Sequence, residues 1–331
     1  MDIRTQAAIA AFVPSLVWLV LVYSRDRYEK EPKWLVAKLY VMSILAVALA
    51  FVLESVTRPR LSGAVVVVLG SGLLVGLIEE GSKFSVLVLG TRRSRHLNEP
   101  VDGMIYSSAV ALGFAGIESL TYILRSYDVG LAYHLSPSSA AHQALTMTAP
   151  VRALVGNLGH MSWAGVIGYA YGRRRCGIAG RAEVWRAYLV AASGHGAYDA
   201  FLGLHASLLA FSVLTLSVLY FVHLFRKALA ASPFRHGQLR PLPTAAPPGR
   251  APVLPRAFVP DALVPDTGLP AWAQPEPSSH LVGQLPPGLP VHVVQRLGAW
   301  AHVLTSTGWS GWVDGRALAP MSARGSPPRR S

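Results

Sequence analysis

Two adjacent carboxylates and an ammonium sit where a chain should carry none. The stretch Gly76-Leu-Ile-Glu79-Glu80-Gly-Ser-Lys83 lies inside residues 64–89, a run apolar enough to cross a bilayer. An ionisable side chain at mid-membrane costs about 2.5–3.5 kcal/mol on insertion scales, so its presence points to a function or a dedicated partner. Lys83 is one helical turn from both glutamates and could neutralise either, which would make the knot purely structural. Further ionisable residues inside other apolar runs weigh against that reading: Glu118, His160, His195 and Asp199. On straight helices Glu79, His160 and His195 fall near the middle of their segments, with Glu118 somewhat toward the outer side.

Carboxylates and imidazoles are what a zinc ion takes where thiols are lacking, and a catalytic zinc keeps three protein ligands and a water. A further carboxylate beside that water can serve as general base. His160 and His195 are the expected ligands, with Glu118 as third ligand or as a partner behind one of them. Glu79 or Glu80 is the expected base, and Lys83 would hold one glutamate ionised. Asp199, one turn from His195, can orient that imidazole. The same groups could instead form the proton relay of a transporter, although no repeat between the halves is evident, as inverted-repeat transporters would show. A third reading, in which the spans only anchor a scaffold, leaves the buried charges unexplained. His205, His223, His280, His292 and His302 read as solvated or structural.

The elements that must position these groups are membrane spans. The chain has 331 residues, 52% hydrophobic and 14% charged, with mean hydropathy +0.38. Its apolar residues come in blocks of about 20, the signature of a polytopic all-α membrane bundle. Seven blocks are expected, at 7–23, 34–56, 64–89, 103–124, 153–171, 185–204 and 208–225. The third, punctuated by Gly70, Gly72 and Gly76, could be one helix or two, which would make eight. Residues 125–150 read as a loop with a short interfacial helix. The first block has no basic start and no small-residue cleavage site, so it reads as a retained anchor. Arginine and lysine concentrate in alternate loops (Arg25, Arg27, Lys30 and Lys33; Arg92, Arg93 and Arg95; Arg173 to Arg175 and Arg181; Arg226 and Lys227), against Arg58, Arg60, Arg125 and Arg152 on the other side. The positive-inside rule then places the N-terminus outside the cell membrane and the C-terminus in the cytoplasm. The net charge of +13 thus reports orientation, and no nucleic-acid partner is expected. A single cysteine, Cys176, excludes an intramolecular disulfide and a cysteine-rich metal site.

Residues 1–228 are the expected transmembrane part. Residues 229–278 read as a proline-rich linker, since twelve of the 24 prolines fall between 232 and 277. Residues 279–320 alternate as short strands, and 321–331 read as a tail. Trp300, Trp309 and Gly311-Trp312-Val313 in the strand-rich segment resemble a bacterial SH3-like barrel, which implies a cytoplasmic protein or peptide partner.

Taken in order, the motifs resemble the PrsW family of intramembrane metalloproteases, distant relatives of the CAAX prenyl endopeptidases. The resemblance covers roughly residues 25–204. It rests on Asp26 with Glu31-Pro32, Glu79-Glu80-x-x-Lys83, Glu99-Pro-Val-Asp-Gly103, Gly113-Phe114-x-x-x-Glu118, Arg152 with His160, and His195-x-x-x-Asp199. It implies hydrolysis of a peptide bond in or beside the membrane, with a glutamate activating water, histidines binding zinc, and a membrane-protein substrate such as an anti-sigma factor. Ser119 departs from the asparagine common after the Phe-x-x-x-Glu glutamate.

Overall fold

The computed structural model describes residues 1–57, 72–94, 96–232, 258–276, 279 and 281–321. It comprises two compact units, Met1–Ala230 and Ala231–Ser331, each described by itself below.

The first unit is helical. Its main helices are α1 (Ile3–Arg25), α2 (Lys33–Thr57), α3 (Val75–Thr91), α4 (Pro100–Ala132), α5 (Pro137–Gln143), α6 (Asn157–Arg175), α7 (Arg181–Gly203) and α8 (Ser207–Ala230). Apart from the short α5, each matches one expected span. Residues 58–71 lie outside the described residues, so the onset of the third span does too; a π turn at 72–74 leads into α3. Among the described residues α1, α2, α4 and α8 are long and apolar enough to cross a membrane. α3 is described over 17 residues only, and α6 and α7 carry polar and charged groups that lower their hydropathy.

Each outer helix buries one stripe and turns apolar side chains outward. In α1 Ala7, Ala11, Ser15, Leu19 and Val22 are buried at helical spacing, while Val13, Val17 and Val20 are about half exposed or more. That is how a helix looks with lipid on one side and protein on the other. α4 differs, being buried all round from Pro100 to Gly116. It begins at Pro100, where proline's missing N–H is no loss. The Asp102 carboxylate accepts from the backbone N–H groups of Asn98 (2.8 Å) and Glu99 (2.7 Å), satisfying donors that a helix start leaves open.

Small residues let these helices touch through their backbones. A Cβ on Gly103 would strike the Gly168 carbonyl and the Gly172 nitrogen, joining α4 to α6. One on Gly76 would strike the Ala192 carbonyl and the Gly196 nitrogen, joining α3 to α7. Close approach through small residues is how membrane helices pack without a hydrophobic drive between them.

Residues 125–150 differ from the expected loop. α4 runs on to Ala132, two full turns past Leu124, since nothing from Arg125 to Val129 breaks a helix. After α5, π turns at Ala144–Thr148 and Arg152–Gly156 flank a helical turn at Ala149–Val151 and lead without a break into α6.

The second unit is a seven-stranded antiparallel sheet in the order β3-β2-β6-β5-β4-β1-β7. Its strands are β1 (Ala262–Leu263), β2 (Leu269–Trp272), β3 (Leu281–Leu285), β4 (Pro290–Leu297), β5 (Trp300–Thr305), β6 (Ser310–Asp314) and β7 (Ala319–Pro320). The proline-rich linker expected up to residue 278 is therefore corrected: β1 and β2 come from inside it. Proline masks the pattern there, but Leu269 and Ala271 are buried in alternation with Pro270 and Trp272. Ala262 pairs with Val291, and Trp272 with Trp312. The core gathers Leu285, Val291, Ala301, Val303 and Val313, all fully buried. His280 and most of the expected tail, 322–331, lie outside the described residues.

Candidate metal centre

Four helices of the first unit deliver the polar residues singled out above to one place. α3 brings Glu79, Glu80 and Lys83, buried at 7%, 0% and 2% exposure; α6 brings His160 and α7 His195, both at 3%. α4 brings Glu118 and α7 also Asp199, whose side chains are 22% and 29% exposed.

Each imidazole is held by a carboxylate on one nitrogen and presents the other inward. His160 Nε2 lies 2.6 Å from Glu118 Oε2, and His195 Nδ1 lies 3.0 Å from Glu80 Oε1. An ionised carboxylate can only accept, so each assigns the ring proton to the nitrogen facing it. That leaves His160 Nδ1 and His195 Nε2 as lone-pair donors, and they flank one oxygen: Glu79 Oε2 is 3.9 Å from the first and 3.8 Å from the second. This oxygen is buried and accepts no hydrogen bond. Glu79, His160 and His195 each offer one donor atom, all within 4.8 Å of one another. A buried carboxylate oxygen that accepts no hydrogen bond, between two oriented imidazoles, is the donor set a divalent metal takes. The residues fit such an ion.

The remaining groups brace this set. Arg152 donates to Glu118 Oε2 and stacks on the Tyr122 ring at 4.5 Å. It also reaches Ser119 Oγ at 3.4 Å. Trp163 lies flat on His195, with centroids 4.2 Å apart and planes 10° apart, and its indole N–H donates to Ser217 Oγ. Asp199 Oδ2 is 3.5 Å from His195 Nε2, on the inward side of the ring. Lys83 Nζ makes contacts of 2.7 Å to Glu80 Oε1, 3.4 Å to Glu79 Oε2 and 2.9 Å to His160 Nδ1.

The roles of two of these were not legible in the sequence. Arg152 read as an outer-loop cation and, with His160, as part of the family motif, yet it lies in the helical stretch before α6 and its partner is 34 positions away. Trp163 carried no signal beyond being aromatic. Glu118, expected as third ligand or as a partner behind a ligand, stands behind His160 and outside the converging group.

The Asp26 and Glu31 motif and the Glu99-to-Gly103 motif meet away from this centre. In the loop between α1 and α2, Glu31 accepts from the Tyr106 hydroxyl of α4, and its backbone carbonyl accepts from the Tyr23 hydroxyl at 2.8 Å. Burial pushes the Glu31 carboxyl up to about 9, the charges of Glu29, Asp26 and Glu99 adding to it against a hydrogen bond with Asp102. Burial likewise raises Asp26 to about 6, opposed by Lys30.

A helical membrane bundle with a buried carboxylate–imidazole centre is the class these features define. A family match described as "PrsW family intramembrane metalloprotease" spans residues 31–226, which takes in α2 to most of α8 and every residue of the centre. The chain belongs to that family. Among curated relatives it is 32% identical over 117 residues to Protease PrsW of Clostridioides difficile (strain 630), covering 35% of this chain and 49% of that protein. Protease PrsW of Geobacillus kaustophilus (strain HTA426) is 27% identical over 192 residues, covering 57% and 76%. Protease PrsW of Bacillus subtilis (strain 168) is 28% identical over 116 residues, covering 35% and 52%. The chain thus spans about half the length of the first and third of these. No solved structure matches.

Proposed function

We propose that this protein is a metal-dependent intramembrane endopeptidase, with Glu79, His160 and His195 holding the metal, which we take to be zinc. The observation that carries this is the convergence of His160 Nδ1 and His195 Nε2 on the buried Glu79 Oε2, each ring held by its own carboxylate. When bound, the ion supplies Lewis acidity toward the scissile carbonyl and acidifies a water. Glu80 is the general base. Its Oε1 is taken by Lys83 and His195, while Oε2 is buried without a hydrogen bond, free to take the proton of the attacking water and return it to the leaving amine. Lys83 holds Glu80 ionised, Glu80 and Trp163 fix His195, Asp199 lies beside the inward Nε2 of that ring, and Arg152 fixes Glu118 behind His160. A transporter's relay is not favoured, since the chain's family is one of proteases.

The substrate class is a membrane-bound regulator such as an anti-sigma factor, as the family resemblance implies. The C-terminal sheet is read as an SH3-like module that meets a protein or peptide partner in the cytoplasm, with the N-terminus outside.

The test uses detergent-purified full-length protein with a mixture of single-span transmembrane peptides, read by mass spectrometry, alongside elemental analysis. Wild type should carry about one zinc and cleave. Glu80→Gln should keep zinc and lose cleavage, whereas Glu79→Gln and His160→Ala should lose both. Cleavage that survives Glu80→Gln, or wild type that binds no metal, overturns the reading.

A further inference from the structure

Lys83 touches two of the three donors. Its ammonium is 2.9 Å from His160 Nδ1, 2.7 Å from Glu80 Oε1 and 3.4 Å from Glu79 Oε2. Two of those three atoms belong to the set assigned above to the metal. An ammonium has only hydrogens to offer, so at this distance it engages the His160 Nδ1 lone pair that a metal would need. A nitrogen has one such lone pair, and it cannot serve both partners.

We infer that Lys83 is the resident cation of the metal-free centre and competes with the metal for His160 Nδ1. The inference rests on the assignment of Glu79, His160 and His195 as ligands. The physical case is one of charge. Two buried glutamates on α3 need a counter-charge whether or not metal is present, because an uncompensated buried charge is strongly destabilising. Lys83 meets that need, with the Phe114 ring 4.5 Å from its Nζ on another side. When metal arrives, Lys83 has somewhere to go without leaving Glu80. A cavity of about 10 Å³ lies beside it, lined by Lys83, Phe84, Leu87, Ser107, Ala164 and Ile167. It is roughly the room of one water and offers the Ser107 side chain. Withdrawal toward it frees His160 Nδ1 while the Glu80 ion pair is kept. Lys83 thereby holds the centre in shape before metal binds and lowers its affinity for metal.

Zinc binding to chelator-stripped full-length protein tests this, by competition with a chromogenic chelator. The variants are Lys83→Met, which keeps length and loses the ammonium, and Lys83→Arg, which keeps the charge. Lys83→Met should bind zinc at least tenfold more tightly than wild type, and Lys83→Arg no more tightly than wild type. Zinc-induced rise in unfolding temperature is the second readout. Apo Lys83→Met should unfold at lower temperature than wild type yet gain more from zinc, since stabilisation by a ligand grows with its affinity. Equal or weaker zinc binding by Lys83→Met, with His160→Ala still abolishing it, overturns the competition and leaves the metal assignment standing. No zinc binding by any folded variant, wild type included, overturns both.

Discussion

Glu118 Oε2 stands 2.6 Å from His160 Nε2, and this contact decides which nitrogen of His160 faces the interior. The carboxylate is itself held by Arg152, so a residue of α4 one turn beyond Phe114 controls a donor atom on α6. Glu118→Gln keeps the shape and removes the charge that fixes the tautomer. Zinc affinity should fall about tenfold to a hundredfold, the usual cost of losing a partner behind a metal ligand. Helical content by circular dichroism should stay as in wild type. Unchanged affinity would show that the tautomer is set elsewhere.

The contact of α3 with α7 through Gly76 makes a prediction about stability. A Cβ there meets backbone atoms of Ala192 and Gly196, which cannot swing aside. Gly76→Ala should cost about 3 kcal/mol or more, at the top of the overpacking range. Gly180→Ala, at the α7 N-cap with open space around it, should cost no more than about 1 kcal/mol. Thermal unfolding in detergent compares the two, and similar losses would contradict the backbone contact.

Glu31 predicts how stability varies with pH. Its folded carboxyl titrates at about 9 against an ordinary 4.5, so the fold binds its proton more tightly than the unfolded chain does. That contribution is fully present below 4.5 and is lost as pH rises through 9. Asp26, raised to about 6, acts in the same direction at lower pH. The unfolding temperature should fall with rising pH across this window, and Glu31→Gln should flatten most of the slope. A slope as steep in the variant as in wild type would sink the assignment.

A fourth expectation concerns Trp163. Trp163→Leu removes both the stacked face of His195 and the hydrogen bond to Ser217. The ring remains held by Glu80, so zinc should still bind, about threefold to tenfold more weakly, as outer-partner losses do at their mild end. Complete loss of zinc would mean that stacking, not Glu80, positions His195.

What could be read from the chain followed from the cost of charge in lipid. Glu79, Glu80, Lys83, His160 and His195 stood out because an apolar run has no bland use for them, and the structure brings all five together. Glu118 and Asp199 stood out likewise and lie at the margin of the same group. The role of Arg152 was hidden because its meaning lies in a partner 34 residues away. The extension of α4 to Ala132 was hidden by Arg125 and Asp128, polar residues a helix end can carry toward water as readily as a loop can. In the second unit proline obscured β1 and β2, whose places are set by pairing with Val291 and Trp312 and not by local pattern.

The glycine contacts join α3 to α7 and α4 to α6, and the centre straddles the line between those two couples. Glu79, Glu80, Lys83, His195 and Asp199 ride on the first, Glu118 and His160 on the second. Neither couple can slide internally without driving backbone into backbone, so any relative movement at the centre would fall on the seam between them. Among the described residues Lys83 to His160 crosses it at the centre, and Arg175 donates to the Thr91 carbonyl further along. A peptide that must reach the centre would wedge that seam apart, and an ion gripped from both sides would rivet it shut again.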